Sequence, residues 1–236
     1  MKSSLILCVL FFAFSIAGHS QAIPIYKASK KLIIDGDLSD WKTPFIGPFV
    51  IHNSGEKAAQ QTFVSLSWNE DNLYIAYRSE DLKIVGFHQK KDSEIYKTDD
   101  LVEIFIDPDG DGMHYTEIGV NAFSTNYDML IECVLPACGD WKASIAFSVL
   151  GMETSSKITS GGFCVEIKIP FSSLENIPNG NFNKPNIGTK WTGNLFRIDY
   201  GYATEYLALQ YYKSSKFGFH QPDEFVVFEF KGIFNN

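Results

Sequence analysis

Thr62-Phe63-Val64-Ser65-Leu66-Ser67-Trp68 and Leu73-Tyr74-Ile75-Ala76-Tyr77-Arg78 are the two segments that decide the fold class. In each, the side chains alternate with the period of two that is typical of a half-buried strand. Asn69-Glu70-Asp71-Asn72 lies between them, and a polar tetrapeptide of this kind favours a hairpin turn. The stretch therefore predicts an antiparallel β-hairpin.

The same strand pattern recurs along most of the chain, whereas helical periodicity is scarce. Further strands are predicted over residues 102–106, 115–120, 141–149, 162–169, 191–200, 206–211 and 225–230. We expect 141–149 to pair with 162–169 across the bend Ser160-Gly161-Gly162, and 170–174 to hold one helical turn. Many short strands, with aromatic residues at 15% of the chain, indicate an all-β, antiparallel β-sandwich with jelly-roll or immunoglobulin-like layers.

The N-terminus carries the features of an export signal. Lys2 is followed by an apolar run from Leu5 to Ala17, which is too short to span a bilayer comfortably. Ser20-Gln21-Ala22 fits the small-x-small cleavage rule. Residues 1–22 are therefore interpreted as a signal peptide and residues 23–236 as one domain. We expect a secreted or periplasmic protein with no membrane insertion after the signal is removed.

The charge balance excludes some partners. The chain has 28 acidic and 20 basic residues, a formal net charge of −8. Nucleic acids require a basic surface to meet their phosphates, so they are not expected as partners. Anionic membrane surfaces are excluded on the same ground. Neutral sugars remain compatible with this charge.

Three cysteines follow the signal: Cys133, Cys138 and Cys164. In an oxidising compartment Cys133 and Cys138 either form a disulfide that closes the short loop between them or remain free. Cys164 lies in an apolar strand pattern and is interpreted as a small buried hydrophobe. Their spacing matches no zinc site.

Recognisable catalytic motifs are missing from the sequence. It contains no Gly-x-Ser-x-Gly, no His-Glu-x-x-His and no phosphate-binding glycine loop. Paired carboxylates stay open as an alternative, because Glu103 with an acid such as Asp128 would suit a glycoside-cleaving enzyme. Arg197, on an apolar strand, is predicted to form a buried or semi-buried ion pair, since a charge there needs a partner.

Four short segments, in order and spacing, resemble the family 9 carbohydrate-binding modules of the DOMON-like β-sandwich superfamily. They are Ile34-Asp35-Gly36-Asp37-Leu38-Ser39-Asp40-Trp41, residues 67–76, residues 99–108, and Phe219-His220-Gln221-Pro222. The resemblance covers about residues 33–230. It implies a non-catalytic protein that binds the end of a β-glucan or xylan type of polysaccharide or oligosaccharide. It also implies a role in polysaccharide catabolism beside separate glycoside hydrolases.

In that family two tryptophans sandwich a terminal sugar ring, and polar side chains fix its hydroxyls. The resemblance puts Tyr96 at the first platform, although strict spacing would put Lys97 there, and puts Phe219 at the second. Gly119 stands where the family has an arginine, two positions before Asn121. Trp141 and His220 are predicted at the rim of the same site. The predicted carbohydrate site thus consists of Tyr96, Glu103, Asn121, Trp141, Phe219 and His220.

The resemblance also implies structural calcium, with Asp35, Asp37, Asp40 and Asp81 as ligands. Residues 107–112 begin like a calcium loop, with carboxylates at alternate positions and glycine sixth. The twelfth position is Ile118 instead of a glutamate, and the segment joins two strands, so we interpret it as a hairpin turn.

A haem-binding redox module of the same superfamily is a further alternative. Met113, Met129 and Met152 are available as axial ligands, but none lies in a recognisable ligand pattern.

Overall fold

The computed structural model describes residues 22–177 and 180–235, and most of their regular structure is β. The predicted signal peptide, apart from Ala22, lies outside the described residues. The strands are β1 Ile23–Lys27, β2 Val50–Ile51, β3 Thr62–Trp68, β4 Asn72–Glu80, β5 Leu101–Asp107, β6 His114–Asn121, β7 Asn126–Cys133, β8 Trp141–Ser144, β9 Glu153–Thr159, β10 Gly162–Pro170, β11 Lys190–Asp199, β12 Glu205–Ala208 and β13 Val226–Ile233. One helical turn, α1, spans Phe171–Leu174, and 3₁₀ turns cover Leu38–Asp40, Ile95–Lys97, Pro136–Cys138 and Pro222–Glu224. Each helix in the described part of the chain is too short to cross a bilayer.

The strands form one open path in the order β8-β7-β6-β5-β11-β13-β1-β3-β4-β10-β9. β12 pairs with β11 and with β2 beside this path. Neighbours are antiparallel, as predicted, except that β1 runs parallel to both β13 and β3. The N-terminal strand therefore joins the two halves of the path.

The path folds over so that two layers share an apolar interior, which confirms the predicted β-sandwich. Alternate side chains of β5, β6 and β11 meet those of β3, β4 and β10 there, as the burial of Ile104, Ile118, Leu195, Ile75 and Val165 illustrates. Each of these five side chains is completely buried. Burial of this apolar surface is the main stabilising term of the fold.

The segment Ile34–Trp41 covers the outer face of the layer that contains β3, β4 and β10. Glu166 of β10 accepts hydrogen bonds from the Trp41 indole nitrogen at 2.7 Å and from the Gly36 amide at 2.6 Å. Gly36 has φ +82°, and a Cβ there would lie 2.9 Å from Lys157 Cβ. Only glycine fits that approach without strain, so this motif fixes the N-terminal segment to the sheet.

The predicted pairing of 141–149 with 162–169 is wrong. β8 covers only Trp141–Ser144 and pairs with β7, while β10 pairs with β9. A disulfide between Cys133 and Cys138 closes the turn that returns the chain from β7 to β8. β9 is a polar edge strand, Glu-Thr-Ser-Ser-Lys-Ile-Thr, and lacks the apolar alternation that marks a half-buried strand.

Candidate functional site

A cavity of about 330 Å³ opens on the outer face of the layer that contains β5, β6 and β7. The sheet face, the β8 segment and the loop that precedes β13 enclose it, together with His52, Tyr96 and Tyr206 from other parts of the chain. Aromatic and acidic residues converge there, and such convergence is typical of ligand sites. The lining residues are His52, Tyr96, Glu103, Phe105, Glu117, Met129, Trp141, Ala143, Ile145, Ile198, Tyr206, Phe217, Gly218, Phe219 and His220.

Strand alternation brings Glu103 to this cavity. Its neighbours Val102 and Ile104 belong to the interior of the sandwich, so Glu103 points to the outer face. On β6, Gly119 lies opposite Glu103, and Glu117 lies opposite Phe105. Two carboxyl groups on adjacent strands therefore share the floor of the cavity, and both are nearly inaccessible to solvent.

Tyr127 of β7 connects these two acids. It pairs with Gly119, and a Cβ on that glycine would lie only 2.3 Å from the tyrosine ring. The ring therefore lies over the position where the resemblance predicts an arginine. The Tyr127 hydroxyl is 2.5 Å from Glu103 Oε1 and 2.6 Å from Glu117 Oε1. We call Glu103 and Glu117, bridged in this way, the acid pair.

The acid pair holds a proton. A tyrosine hydroxyl can donate only one hydrogen bond, so the second short contact requires a protonated carboxyl group as its donor. Burial raises the pKa of Glu103 to about 8, and the neighbouring charge of Glu117 raises it further. Burial likewise raises the pKa of Glu117 to about 7. The other oxygen of Glu103, Oε2, is buried and has no hydrogen-bond partner among the described residues.

The two histidines of the cavity are neutral. Burial lowers the pKa of His220 to about 4. Its Nδ1 is 2.9 Å from the Tyr115 hydroxyl, and its Nε2 is 3.5 Å from Glu117 Oε2. Burial also lowers the pKa of His52, whose Nδ1 is 3.0 Å from the Tyr206 carbonyl oxygen and whose Nε2 accepts from the Gly218 amide. Neither imidazole offsets the charge of the acid pair.

Phe219 lines the cavity but is not the exposed platform that was predicted. Its ring is only 8% exposed and stacks on Phe196 at 4.1 Å between centroids. The Tyr212 hydroxyl donates to its carbonyl oxygen, and His52 holds the preceding Gly218. The loop is thus part of a packed cluster, because aromatic side chains bury large areas when neighbouring rings are available.

Other aromatic rings form the accessible walls of the cavity. Phe217 is 70% exposed and Trp141 is 41% exposed. Trp141 begins β8 just after the disulfide loop, and its ring lies 4.0 Å from that of His220. Tyr96 stands on a 3₁₀ turn with its edge toward Tyr127 and its hydroxyl bonded to Glu94. Five of the six predicted residues therefore line one cavity.

Asn121 is the exception, because it lies outside the cavity. Its amide nitrogen donates to the His88 carbonyl oxygen and to Asp99. Its side-chain oxygen accepts from the amides of Phe123 and Thr125. The hydrogen-bonding capacity of the side chain is fully used in shaping the turn between β6 and β7.

The proposed partner of Glu103 in an enzyme, Asp128, does not line this cavity. It follows Tyr127 on β7 and so points to the other face, where it meets Lys91 at 3.1 Å and accepts from the Val149 amide. Glu103 and Asp128 are therefore not a catalytic pair. Of the three methionines considered for haem, only Met129 lines the cavity, and each ring nitrogen of the two histidines there already has a polar neighbour.

The four aspartates predicted to bind calcium do not come together. Asp37 pairs with Lys157 at 2.9 Å. Asp81 instead lies within 4.8 Å of Asp100 and Asp199, and it contacts the Arg197 guanidinium. The set does not fit one metal ion. The 107–112 turn also groups three carboxylates, yet Asp107 accepts from the amides of residues 110 and 112, as a hairpin turn requires.

Calcium binding itself stays a prediction. An ion bound only by the folded chain would raise its stability by mass action. A chelator should then lower the melting temperature, and an unchanged melting curve would contradict the prediction.

Sequence reasoning missed Glu117, Tyr127, His52 and Phe217. Alternation along β6 gives Glu117 and Gly119 the same face, but their position beside Glu103 depends on the register between strands. β7 was not predicted as a strand, so nothing in the sequence pointed to Tyr127 as a site residue. Of these four residues, Phe217 was the easiest to predict from the sequence, since it lies two residues before Phe219 of a recognised segment.

Comparisons with known proteins identify a family and a shared fold. Residues 37–192 match the profile described as "Carbohydrate family 9 binding domain-like". The sequence matches no curated protein. The structure is similar to a family 9 carbohydrate-binding module from Caldicellulosiruptor kristjanssonii in complex with cellotriose, with a TM-score of 0.62 and 17% identity, covering 92% of this chain and 96% of that one. The same organism's module in complex with glucose gives a TM-score of 0.61 and 18% identity, covering 90% and 98%.

A candidate carbohydrate-binding protein from Bacteroides uniformis ATCC 8492 is also similar. It has a TM-score of 0.70 and 14% identity, and the match covers 89% of this chain and 99% of that one. At these identities the likeness establishes a shared fold over nearly the whole of each chain.

Proposed function

Because this chain belongs to the carbohydrate family 9 binding domain-like family, we propose that its cavity binds the end of an oligosaccharide or polysaccharide chain without cleaving it. The observation that carries the proposal is the combination of accessible aromatic rings with an unpartnered carboxyl oxygen, Glu103 Oε2, in one cavity. Pyranose rings present apolar C–H faces for the rings and hydroxyl groups for the carboxyl. The volume of about 330 Å³ is near the lower limit for ligand pockets, about 300 Å³, and suits a terminal sugar.

A β-glucan or xylan type of ligand is part of this proposal. Solved structures of similar fold hold cellotriose and glucose, which supports a glucan. On this proposal the chain is exported and holds substrate for separate glycoside hydrolases. The signal features of residues 1–22 support export.

The predicted aromatic sandwich takes a different form in the proposal. Phe219 is covered by Phe196 on one face, so Trp141, Phe217 and Tyr96 are the rings available to stack on sugar. Phe219 instead supports the loop. Replacing Phe219 by Ala should cost about 3–5 kcal/mol of folding free energy, as for other buried aromatic residues. If denaturant unfolding shows a loss of folding free energy below about 1 kcal/mol, Phe219 is a free platform instead of a buried support.

Titration calorimetry of residues 23–236 with cellotriose, xylotriose and glucose tests the proposal. Phe217→Ala should weaken binding about tenfold, since a stacked ring contributes about 1 kcal/mol or more beyond its buried area. Phe87→Ala is the matched control, because Phe87 is 74% exposed and does not line the cavity. Failure of all three sugars to bind would overturn the proposal, as would equal effects of the two substitutions.

A further inference from the structure

The ionisable side chains that line the cavity are acids, tyrosines and neutral histidines, and none of the described lining residues is lysine or arginine. Lys97 lies over the Tyr96 ring, but it is paired with Glu94 at 2.7 Å. The described residues that line the cavity therefore supply no lysine or arginine to the acid pair.

A buried carboxyl oxygen without a partner is costly, and its cost is removed by a donor that enters the site. Glu103 Oε2 is such an oxygen, and it belongs to a residue that is only 2% exposed. Its companion oxygen is already bonded to Tyr127. Because Glu103 lines the cavity, a ligand in the cavity is the available source of a donor for this carboxyl group.

The aromatic walls favour the same kind of occupant. Phe105 lies in the floor between the strands, while Trp141 and Phe217 are exposed at the mouth. The face of an aromatic ring attracts a cation, and a protonated amine bonded to a carboxylate forms a charge-assisted hydrogen bond, about twice as strong as a neutral one.

We infer that the sugar taken by this cavity carries a protonated amino group, which donates to Glu103 Oε2 and supplies the positive charge that the acid pair lacks. The inference rests on the proposed function, because it specifies the class of sugar for the same site. Gly119 is the sequence feature behind it. The Tyr127 ring lies against this glycine, and the two acids that it bridges have no lysine or arginine among the described lining residues.

Binding of such a sugar should be accompanied by proton release. The amine keeps its proton and forms the new hydrogen bond, while the shared proton of the acid pair passes to the solvent. The Tyr127 hydroxyl, with its single proton, then donates to one of the two carboxylates, and its short contact with the other opens. A neutral sugar leaves that proton in place. The groups that face the acid pair and would take part in its titration are His220, Tyr115, Tyr127 and Tyr96.

The experiment compares glucosamine, N-acetylglucosamine and glucose by titration calorimetry at pH 7 and low salt, in two buffers of different ionisation enthalpy. Glucosamine should bind at least about tenfold more tightly than the other two sugars and should alone release a proton. Glu103→Gln should remove both the preference and the release while leaving a folded protein. Glu117→Gln should likewise abolish the proton release, because it removes the second acid bridged by Tyr127, and an undiminished release in this variant would contradict the inference.

Glu153→Gln is the matched control for lost charge, because Glu153 is an exposed acid on β9 that pairs with Lys168. It should leave the preference intact. Equal affinity for glucosamine and glucose would overturn the inference and leave the proposed function standing. An undiminished preference in Glu103→Gln would also overturn it. Binding of ethanolamine as tight as that of glucosamine would overturn the sugar assignment, and binding of none of the sugars would overturn the proposed function itself.

Discussion

Two groups of buried acids lie in this fold, and they differ in how their charge is balanced. The arginine cluster, Asp81, Asp100 and Asp199 around Arg197, lies within the sandwich, where Arg197 also reaches Thr62 on the opposite layer. The acid pair lies on the outer face of the sheet, in a cavity whose described lining residues include neither lysine nor arginine. Both groups are nearly inaccessible to solvent.

The difference separates a structural role from a functional one. Arg197 contacts Asp81 at 3.1 Å and Asp199 at 2.8 Å, and it also donates to the Glu80 carbonyl oxygen. A charge buried with its partner and its hydrogen bonds is stable in place. The acid pair is instead balanced by a retained proton. Strongly shifted acids without a structural partner, placed in a cavity, are typical of functional sites.

The largest expected effect tests the arginine cluster. Arg197→Met leaves buried carboxylates without their counterion, so it should cost about 3–5 kcal/mol of folding free energy. Denaturant unfolding measures this loss. Lys157→Met removes one member of the exposed pair with Asp37 and should leave the midpoint nearly unchanged, since surface pairs contribute little. If Arg197→Met lowers the folding free energy by less than about 1 kcal/mol, the arginine cluster does not depend on its counterion, and the contrast with the acid pair fails.

Much of the fold was predictable because local pattern and tertiary context agree. β3 has the bounds predicted for it, Thr62–Trp68, and the buried ion pair of Arg197 is confirmed. An apolar strand that alternates carries its own signal. β1 and β9 were missed for a physical reason. β1 is held by parallel partners distant in sequence, and β9 is a polar edge strand that owes its conformation to β10.

The second prediction addresses the bridge within the acid pair. Tyr127→Phe removes the hydroxyl that both carboxyl groups share, and unsatisfied buried polar groups should cost about 1–3 kcal/mol. Tyr202→Phe is the control, because Tyr202 is 75% exposed and the removal of a solvated hydroxyl should cost little stability. Equal unfolding midpoints for the two variants would mean that the acids bond each other directly and do not need Tyr127.

The candidate site was predictable only in part. The outward direction of Glu103 follows from alternation between Val102 and Ile104, and the cavity does contain Tyr96, Trp141, Phe219 and His220. The acid pair could not be read from the sequence, because it depends on the register of three strands and on the contact between Tyr127 and Gly119. The burial of Phe219 likewise follows from Phe196, a residue more than twenty positions away.

The smallest expected effect is the pH dependence of stability, and it tests the balance of the acid pair directly. The pKa of Glu103 is about 8 in the folded chain against an ordinary value of 4.5, so the folded state binds the proton more tightly than the unfolded state. That contribution is fully present below about pH 4.5 and is lost as the pH rises toward 8. Glu103→Gln cannot titrate and loses nothing over this range.

The wild-type chain and Glu103→Gln should therefore have similar stability at pH 5, and the variant should become the more stable by at least about 1.4 kcal/mol near pH 8.5, the equivalent of one pKa unit. Thermal unfolding of both proteins at each pH measures the difference. Burial also raises the pKa values of Asp100 and Asp107 to about 7. These two acids titrate in both proteins, so their contributions cancel in the stability difference. Parallel stability curves from pH 5 to 8.5 would mean that the charge of Glu103 is already balanced within the chain. The acid pair would then resemble the arginine cluster, and the site would need no cation from its ligand.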